Sequence, residues 1–281
     1  MLRAGTGGAP RDAAIALALL AAALPLCLVG LGLEPLRDWD EATFARVAHE
    51  MLGRGWSAWG ALTLWGEPYR NKPPLTLALM AGSFRWLGES AFAARLPGAT
   101  MTALSVPLVY LLGRGLFARR DRALWAALVF LTLLPVIRHG RMAMLDAAVV
   151  FFGLLALVVL VHGARRGWRG GAAGLAAGLA LAAGILTKGM AAAPFLVLAI
   201  ALGRILRPTA AGRAGPGPAV WAGLVAGLSP GIGWYLAQWA GGAGYGGDIL
   251  VGQGLSRLWT AVEGNRGHPA YYLVELLKYA W

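Results

Sequence analysis

Cysteine is almost missing from this chain. The single Cys27 lies within an apolar run, which excludes an intrachain disulfide and a cysteine-built metal cluster. Charge is also scarce: Asp, Glu, Lys and Arg make up 14% of the residues, against roughly 25% in a soluble domain. That is too little to cover a surface facing water on all sides. The shortage is greatest for acids, with 13 Asp and Glu against 25 Lys and Arg, a formal net charge of +12. Alternation of polar and apolar residues is lacking too. The apolar runs are continuous, which excludes a membrane β-barrel.

What is present is hydrophobic sequence, 58% of the chain, in runs of about 17 to 25 residues that match the thickness of a bilayer core. The class is an all-α, polytopic membrane protein. The positive charge invites a nucleic-acid partner, but its distribution argues for topology. Arg3, Arg11, Arg114, Arg119, Arg120, Arg122, Arg165, Arg166, Arg169, Arg204, Arg207 and Arg213 fall on one side of the expected spans, accompanied only by Asp12 and Asp121. The other side is nearly neutral. This is the positive-inside asymmetry, so no nucleic-acid partner is expected.

The spans follow from these runs. The first covers Ala13–Leu33, too long for a signal-peptide core, and begins in the cytoplasm. Leu75–Leu87 is too short to cross and contains Arg85, so it is read as a half-buried helix on the outer face. The further spans are Phe92–Phe117, Ala123–Ile137, Ala143–Val161, Gly170–Leu186, Ala191–Leu206 and Ala219–Ala240, about seven in all. Gly170, Gly174 and Gly178 form a small-residue row suited to close helix packing in lipid. Two large outer loops result, at 34–74 and 241–281. The chain reads as one membrane-embedded domain, 1–281, expected to be cut short at its C-terminal side.

The stretch Asp38–Pro74 concentrates the polar chemistry. Its Asp40–Leu52 part places Phe44, Val47, Ala48 and Met51 at the spacing of an amphipathic surface helix. Candidate residues lie in three outer loops: Asp40, Glu41, Arg70 and Lys72; then Arg138, His139, Arg141 and Asp146; then Asn265, Arg266 and His268. Each has a plainer reading beside the functional one. Asp40 and Glu41 suit a helix N-terminus, where the dipole favours acids. Asp146 sits in an apolar run, where a carboxylate is costly, and either serves a site, caps a span or pairs with Arg141. Arg70 and Lys72 are snorkelling cations or binders of a lipid phosphate. Lys188 reads as a charged turn residue, and His268 as a loop histidine. Trp39, Trp56, Trp59 and Trp65 read as an interfacial aromatic belt rather than a sugar platform.

Several ordered elements carry a resemblance. They are Asp40-Glu41, then Gly66-x-Pro68-Tyr69-x-x-Lys72-Pro73-Pro74, then Phe92-Ala93-Ala94-Arg95-Leu96-Pro97. Arg141-x-x-x-x-Asp146, Leu186-Thr187-Lys188-Gly189 and His268-Pro269-x-Tyr271-Tyr272 follow. This combination resembles the integral-membrane GT-C glycosyltransferases, within them the aminoarabinose transferase and protein O-mannosyltransferase superfamily.

The resemblance implies a polyprenyl-phosphate-linked sugar donor and a hydroxyl-bearing acceptor (lipid A, a glycan or a protein). The site would lie on the outer face of a bacterial-type inner membrane. It implies that Asp40 is the leading catalytic carboxylate, with Glu41 and Asp146 in the same site and an inverting outcome. Lys72 would meet the lipid phosphate, helped by Arg70, Arg141 and Arg266. A divalent metal is left open, with His268 as its candidate ligand. Asn71 stands where aminoarabinose transferases usually carry Glu, and Thr43 where they commonly carry Arg. The alternatives are a transporter or flippase of a lipid-linked substrate, and a shortened copy that only binds partners.

Overall fold

The computed structural model describes residues 9–117, 119–166, 171–205 and 217–241, together with residue 274. Arg266, His268 and most of the 241–281 loop lie outside the described residues, as does Gly170. The elements in chain order are α1 (Ala9–Leu28), α2 (Asp40–Arg54), β1 (Thr63–Leu64), β2 (Glu67–Pro68), α3 (Leu75–Leu87) and α4 (Ala91–Leu116). Then come α5 (Arg120–Thr132), α6 (Leu134–Gly140), α7 (Asp146–Arg166), α8 (Ala172–Lys188), α9 (Ala193–Ile205) and α10 (Pro218–Ala240). The chain is an all-α, multi-pass membrane protein, and one small antiparallel hairpin, Thr63 opposite Pro68, interrupts its helices.

Among the described residues, five stretches are long and apolar enough to cross a membrane: Ala9–Leu28, Ala91–Leu116, Asp146–Gly163, Ala172–Leu202 and Pro218–Ala240. A sixth is the pair α5 and α6, bent by 56°. The bend has a local cause. Leu133 is extended (φ −62, ψ 120), and Pro135 has no N–H to continue the helical ladder. The 172–202 stretch is itself broken at Gly189, whose φ of +58 suits glycine. Lys188 stands beside Asp146 at the start of α7. The ring of Phe195 fills the space where a side chain on Gly153, two turns into α7, would sit. The chain therefore turns back along α7 at this break, and the described residues hold five such stretches, or six with the bent pair, against about seven expected.

Side-chain size sets how closely these passages pack. On α8 and α10, Gly171, Gly174 and Gly178 face Gly223, Gly227 and the backbone between them. A Cβ on Gly174 would lie 1.9 Å from the Val220 carbonyl oxygen. The two helices run parallel, since Gly171 meets Ala219 and Gly231 meets Ala182. In lipid, where apolar burial drives nothing, such close backbone approach supplies the van der Waals contact that joins helices. Outward faces are apolar, with Val129, Val197, Val225 and Leu236 all more than half exposed.

α3 does not cross. Its inner stripe of Thr76, Leu77, Met80, Ala81 and Phe84 is buried in a core shared with Phe44, Val47, Ala48 and Met51 of α2. Ala143 and Leu145, from the loop before α7, close the same core. α2 and α3 thus form a cap over one end of the bundle, where α1 ends, α4 and α7 begin and α8 ends. At the opposite end, Asp12 of α1 accepts from Tyr110 (2.7 Å), Arg114 (3.1 Å) and Arg120 (2.7 Å), tying α1 to α4 and α5.

Candidate functional site

α2 begins at the two acidic residues. Asp40 and Glu41 occupy its first turn, where the helix dipole favours negative charge. The residue before them, Trp39, has φ +81, in the left-handed region that a bulky side chain seldom adopts. Asp40 is exposed and has no hydrogen bond or ion pair among the described residues. Its neighbour is the opposite case.

Glu41 is 1% exposed, and both its oxygens are occupied. Oε1 accepts from Arg95 Nε at 2.8 Å and from the Ala143 backbone N–H at 2.7 Å. Oε2 accepts from Arg95 Nη2 at 2.9 Å and from the Arg37 backbone N–H at 3.0 Å. Burial works against the carboxylate, but the hydrogen bonds from Arg95, Ala143 and Arg37 outweigh it and hold Glu41 below its ordinary range. Arg95 is saturated too. Its remaining donors reach the carbonyls of Leu31, Glu34 and Pro35 at 2.8–3.0 Å. Expected as a catalytic carboxylate, Glu41 has no lone pair facing solvent and is built as the post that fixes the start of α2.

One stripe of α4 carries the other side of the site. Arg95, Gly98 and Thr102 recur at helical spacing and meet the 140–146 loop in turn. Arg95 reaches it through Glu41 and Ala143. At Gly98 a Cβ would lie 3.2 Å from the Met142 carbonyl oxygen, so a side chain there would press on the loop. Thr102 Oγ1 is 3.2 Å from the Gly140 carbonyl oxygen and 3.0 Å from that of Gly98.

The loop delivers Asp146 to the first turn of α7, where its carboxylate accepts from Lys188 Nζ at 2.6 Å. Of the readings open for Asp146, pairing with Arg141 is not what forms; its partner is Lys188. Arg141 turns elsewhere: its Nη1 and Nη2 each donate at 2.6 Å, to the carbonyls of Leu26 and Val29. It thereby caps the C-terminal end of α1, as a cation there should. Expected to bind a lipid phosphate, Arg141 is instead engaged in holding α1.

Next to Lys188, Thr187 Oγ1 accepts from Thr76 Oγ1 at 3.0 Å and donates to the Ala183 carbonyl at 2.8 Å. Thr76 lies in the first turn of α3, just after Lys72-Pro73-Pro74, so the 70–74 segment is fastened to the same end of α8. Arg70 and Lys72 are both half-buried there. A cavity of about 510 Å³ opens beside the Asp146–Lys188 pair. Thr102 and Ser105 contribute hydroxyls to it, and Phe130, Val136, Met144 and Val150 give it apolar walls. The capped end of the bundle therefore carries an exposed carboxylate with no partner among the described residues (Asp40), a paired carboxylate (Asp146), cations at Lys72, Arg70 and Lys188, and an apolar-walled cavity. That inventory suits an amphiphile with an anionic head. Among the described residues, no group of three or more His, Cys, Asp or Glu is placed to hold a metal ion.

Sequence reasoning left two residues without their role. Arg95 appeared only within a motif, although a lone arginine in an apolar span is costly unless paired, a signal that calls for a buried acid. Lys188 reads in the sequence as a turn residue, although it also belongs to the Leu186–Gly189 motif.

Comparison with known proteins agrees with this architecture. The family model described as dolichyl-phosphate-mannose-protein mannosyltransferase (PMT) matches residues 19–211. The undecaprenyl phosphate-alpha-4-amino-4-deoxy-L-arabinose arabinosyl transferase 1 of Pseudomonas fluorescens is 34% identical over 186 residues, covering 60% of this chain and 32% of the relative. The corresponding transferase of Aeromonas hydrophila is 32% identical over 175 residues, 62% of this chain and 31% of the relative. Among solved structures, ArnT from Cupriavidus metallidurans in the apo state superposes with a TM-score of 0.70 at 20% identity, over 93% of this chain and 47% of that one. Its complex with undecaprenyl phosphate gives 0.68 at 22% identity, over 98% and 48%. The chain thus spans about a third of the sequence relatives and under half of the structural ones.

Proposed function

The chain belongs to the dolichyl-phosphate-mannose-protein mannosyltransferase (PMT) family, and on that premise we propose that it is a membrane glycosyltransferase. It transfers a sugar from a polyprenyl-phosphate donor to a hydroxyl on a lipid, glycan or protein acceptor. The carrying observation is the contrast between adjacent carboxylates: Glu41 is buried and saturated, and Asp40 is exposed and free on the rigid turn that Glu41 fixes. A general base needs an unoccupied lone pair at a fixed position.

In this reading Asp40 takes the proton from the acceptor hydroxyl as its oxygen attacks the anomeric carbon. The bond to the lipid phosphate breaks on the opposite side, giving inversion. Lys72 and Arg70, with Arg266 from the later loop, offset the negative charge on the departing phosphate. Asp146 and Lys188 border a cavity at the same capped end of the bundle. The apolar-walled cavity beside them suits the isoprenoid end of such a donor. The arabinosyl transferase relatives and the undecaprenyl phosphate bound in the ArnT complex support this donor class.

The arginine-rich end of the bundle, around Arg114, Arg119 and Arg120, is the cytoplasmic end by the positive-inside rule. That puts the N-terminus in the cytoplasm and the capped end, with the site, on the outer face of the inner membrane. A transporter would place ionisable groups near the midplane. The charged side chains of the site lie instead at helix ends.

The test is transfer of label from a radiolabelled polyprenyl-phosphate sugar into membrane extract by the purified protein in detergent. Asp40→Asn should lower transfer by about a hundredfold or more while the protein remains folded in the membrane. Wild-type turnover in that variant would remove Asp40 from the role.

A further inference from the structure

The hairpin that follows α2 contains a strained tryptophan. Its two-residue turn is Trp65-Gly66, with φ +58 and φ +81. Positive φ at both central positions is the geometry that Asn-Gly or Gly-Gly fills without strain. A tryptophan persists there only if the surroundings hold it. They do: Glu50 accepts from the Trp65 N–H at 2.7 Å and from the Gly66 N–H at 3.3 Å. The same carboxylate accepts from Arg46 Nε at 2.8 Å, and the Arg46 guanidinium lies 4.3 Å from the centre of a Trp65 ring. Arg54 fixes the hairpin's base through Thr63 Oγ1 (2.9 Å) and the Ala61 carbonyl (2.5 Å).

The indole held in this way is 72% exposed. Beside it lies an open groove of about 440 Å³ lined by Arg46, Glu50, Arg54, Thr63 and Gly66, where aliphatic side-chain stems alternate with charged ends. A membrane anchor needs only an exposed indole. It needs neither a strained backbone nor a groove with charges of both signs at its edge. A flat aromatic face next to such a groove matches a sugar ring, which has an apolar face of C–H groups and a rim of hydroxyls. The position agrees. Arg46, which stacks on Trp65, is six residues after Asp40 on the same helix, about 9 Å along its axis, within reach of a saccharide of two or three rings.

We propose that the open face of Trp65, with the Arg46–Glu50–Arg54 groove, binds a sugar ring of the acceptor, so that the acceptor class is a saccharide or a glycolipid headgroup. This rests on the transferase reading for its role. The binding itself is measurable without any transfer.

The experiment uses the full chain in detergent micelles and saturation-transfer NMR with three soluble probes: N-acetylchitobiose, a β-1,6-linked glucosamine disaccharide and maltose. Wild type should transfer saturation to the ring protons of at least one. Trp65→Gly, which suits the turn and keeps the hairpin, should lower that signal about fivefold. Trp65→Phe should retain most of it, and Trp86→Ala, a still more exposed indole on α3, should change nothing. No signal from any probe with wild type, or equal signal in Trp65→Gly, overturns the proposal. Sugar binding that depends on Trp65 in a protein shown not to transfer label would leave this site standing and remove the transferase reading instead.

Discussion

Lys188 Nζ stands 2.6 Å from the Asp146 carboxylate, joining the end of α8 to the start of α7. The two side chains are 28% and 48% exposed, so the pair lies at a wet cavity mouth where an incoming anion can compete for the ammonium. Lys188→Met is therefore expected to weaken binding of undecaprenyl phosphate about tenfold, the value of roughly one charge-assisted hydrogen bond. Lys188→Arg should keep most of it. Ligand-induced thermal shift in detergent measures both, and unchanged affinity in Lys188→Met would take Lys188 out of the donor site.

The Glu41–Arg95 pair should behave as structure. Its side chains are 0% and 6% exposed, and removing one partner of a buried pair costs roughly 3–5 kcal/mol. Glu41→Gln or Arg95→Met should lower the unfolding temperature markedly. Asp40→Asn, at an exposed position, should leave it nearly unchanged. Equal thermal stability of Glu41→Gln and wild type would contradict the role of a post.

Acid should release the hairpin. Burial of Glu50 opposes its charge, but hydrogen bonds involving Thr63, Arg46, Gly66 and Trp65 bring it down from 4.5 to about 2. A carboxylate lowered in the fold contributes stability that is fully present above its unfolded value and is lost as pH falls through the folded one. The loss is therefore expected between pH 4.5 and about 2. Glu50→Gln should flatten that part of the stability curve, as read by tryptophan fluorescence against pH.

The parallel α8–α10 contact should tolerate no side chain. Gly174→Leu would drive a Cβ to within 1.9 Å of the Val220 carbonyl oxygen, an overpacking that costs at least about 1–3 kcal/mol. Gly82→Ala, where nothing lies within 4 Å of the new Cβ, should gain up to about 1 kcal/mol of helix propensity. Yield of folded protein and melting temperature in detergent separate the two, and equal behaviour would refute the packing account.

Arg141→Met should cost stability and leave donor affinity alone, because both its Nη atoms are engaged by α1 carbonyls. A loss of about 1 kcal/mol is expected for a cation at a helix C-terminus. A weakened affinity for undecaprenyl phosphate with unchanged stability would return Arg141 to the phosphate.

The sequence by itself determined what is local. Run length and hydropathy made this an all-α membrane protein and marked its long apolar helices. The period of Phe44, Val47 and Met51 placed α2 on the surface, and the shortness of Leu75–Leu87 kept α3 from crossing. Charge asymmetry marked one end of the bundle. Only the tertiary structure decided which polar groups meet. Glu41 and Arg95 are 54 residues apart, and Asp146 and Lys188 are 42 apart. Whether a carboxylate is spent on a partner or left free depends on packing between elements, which no local period encodes. Thus Asp40 and Glu41, adjacent and alike in sequence, received opposite environments because one faces into the core shared by α2, α4 and the 140–146 loop and the other faces out.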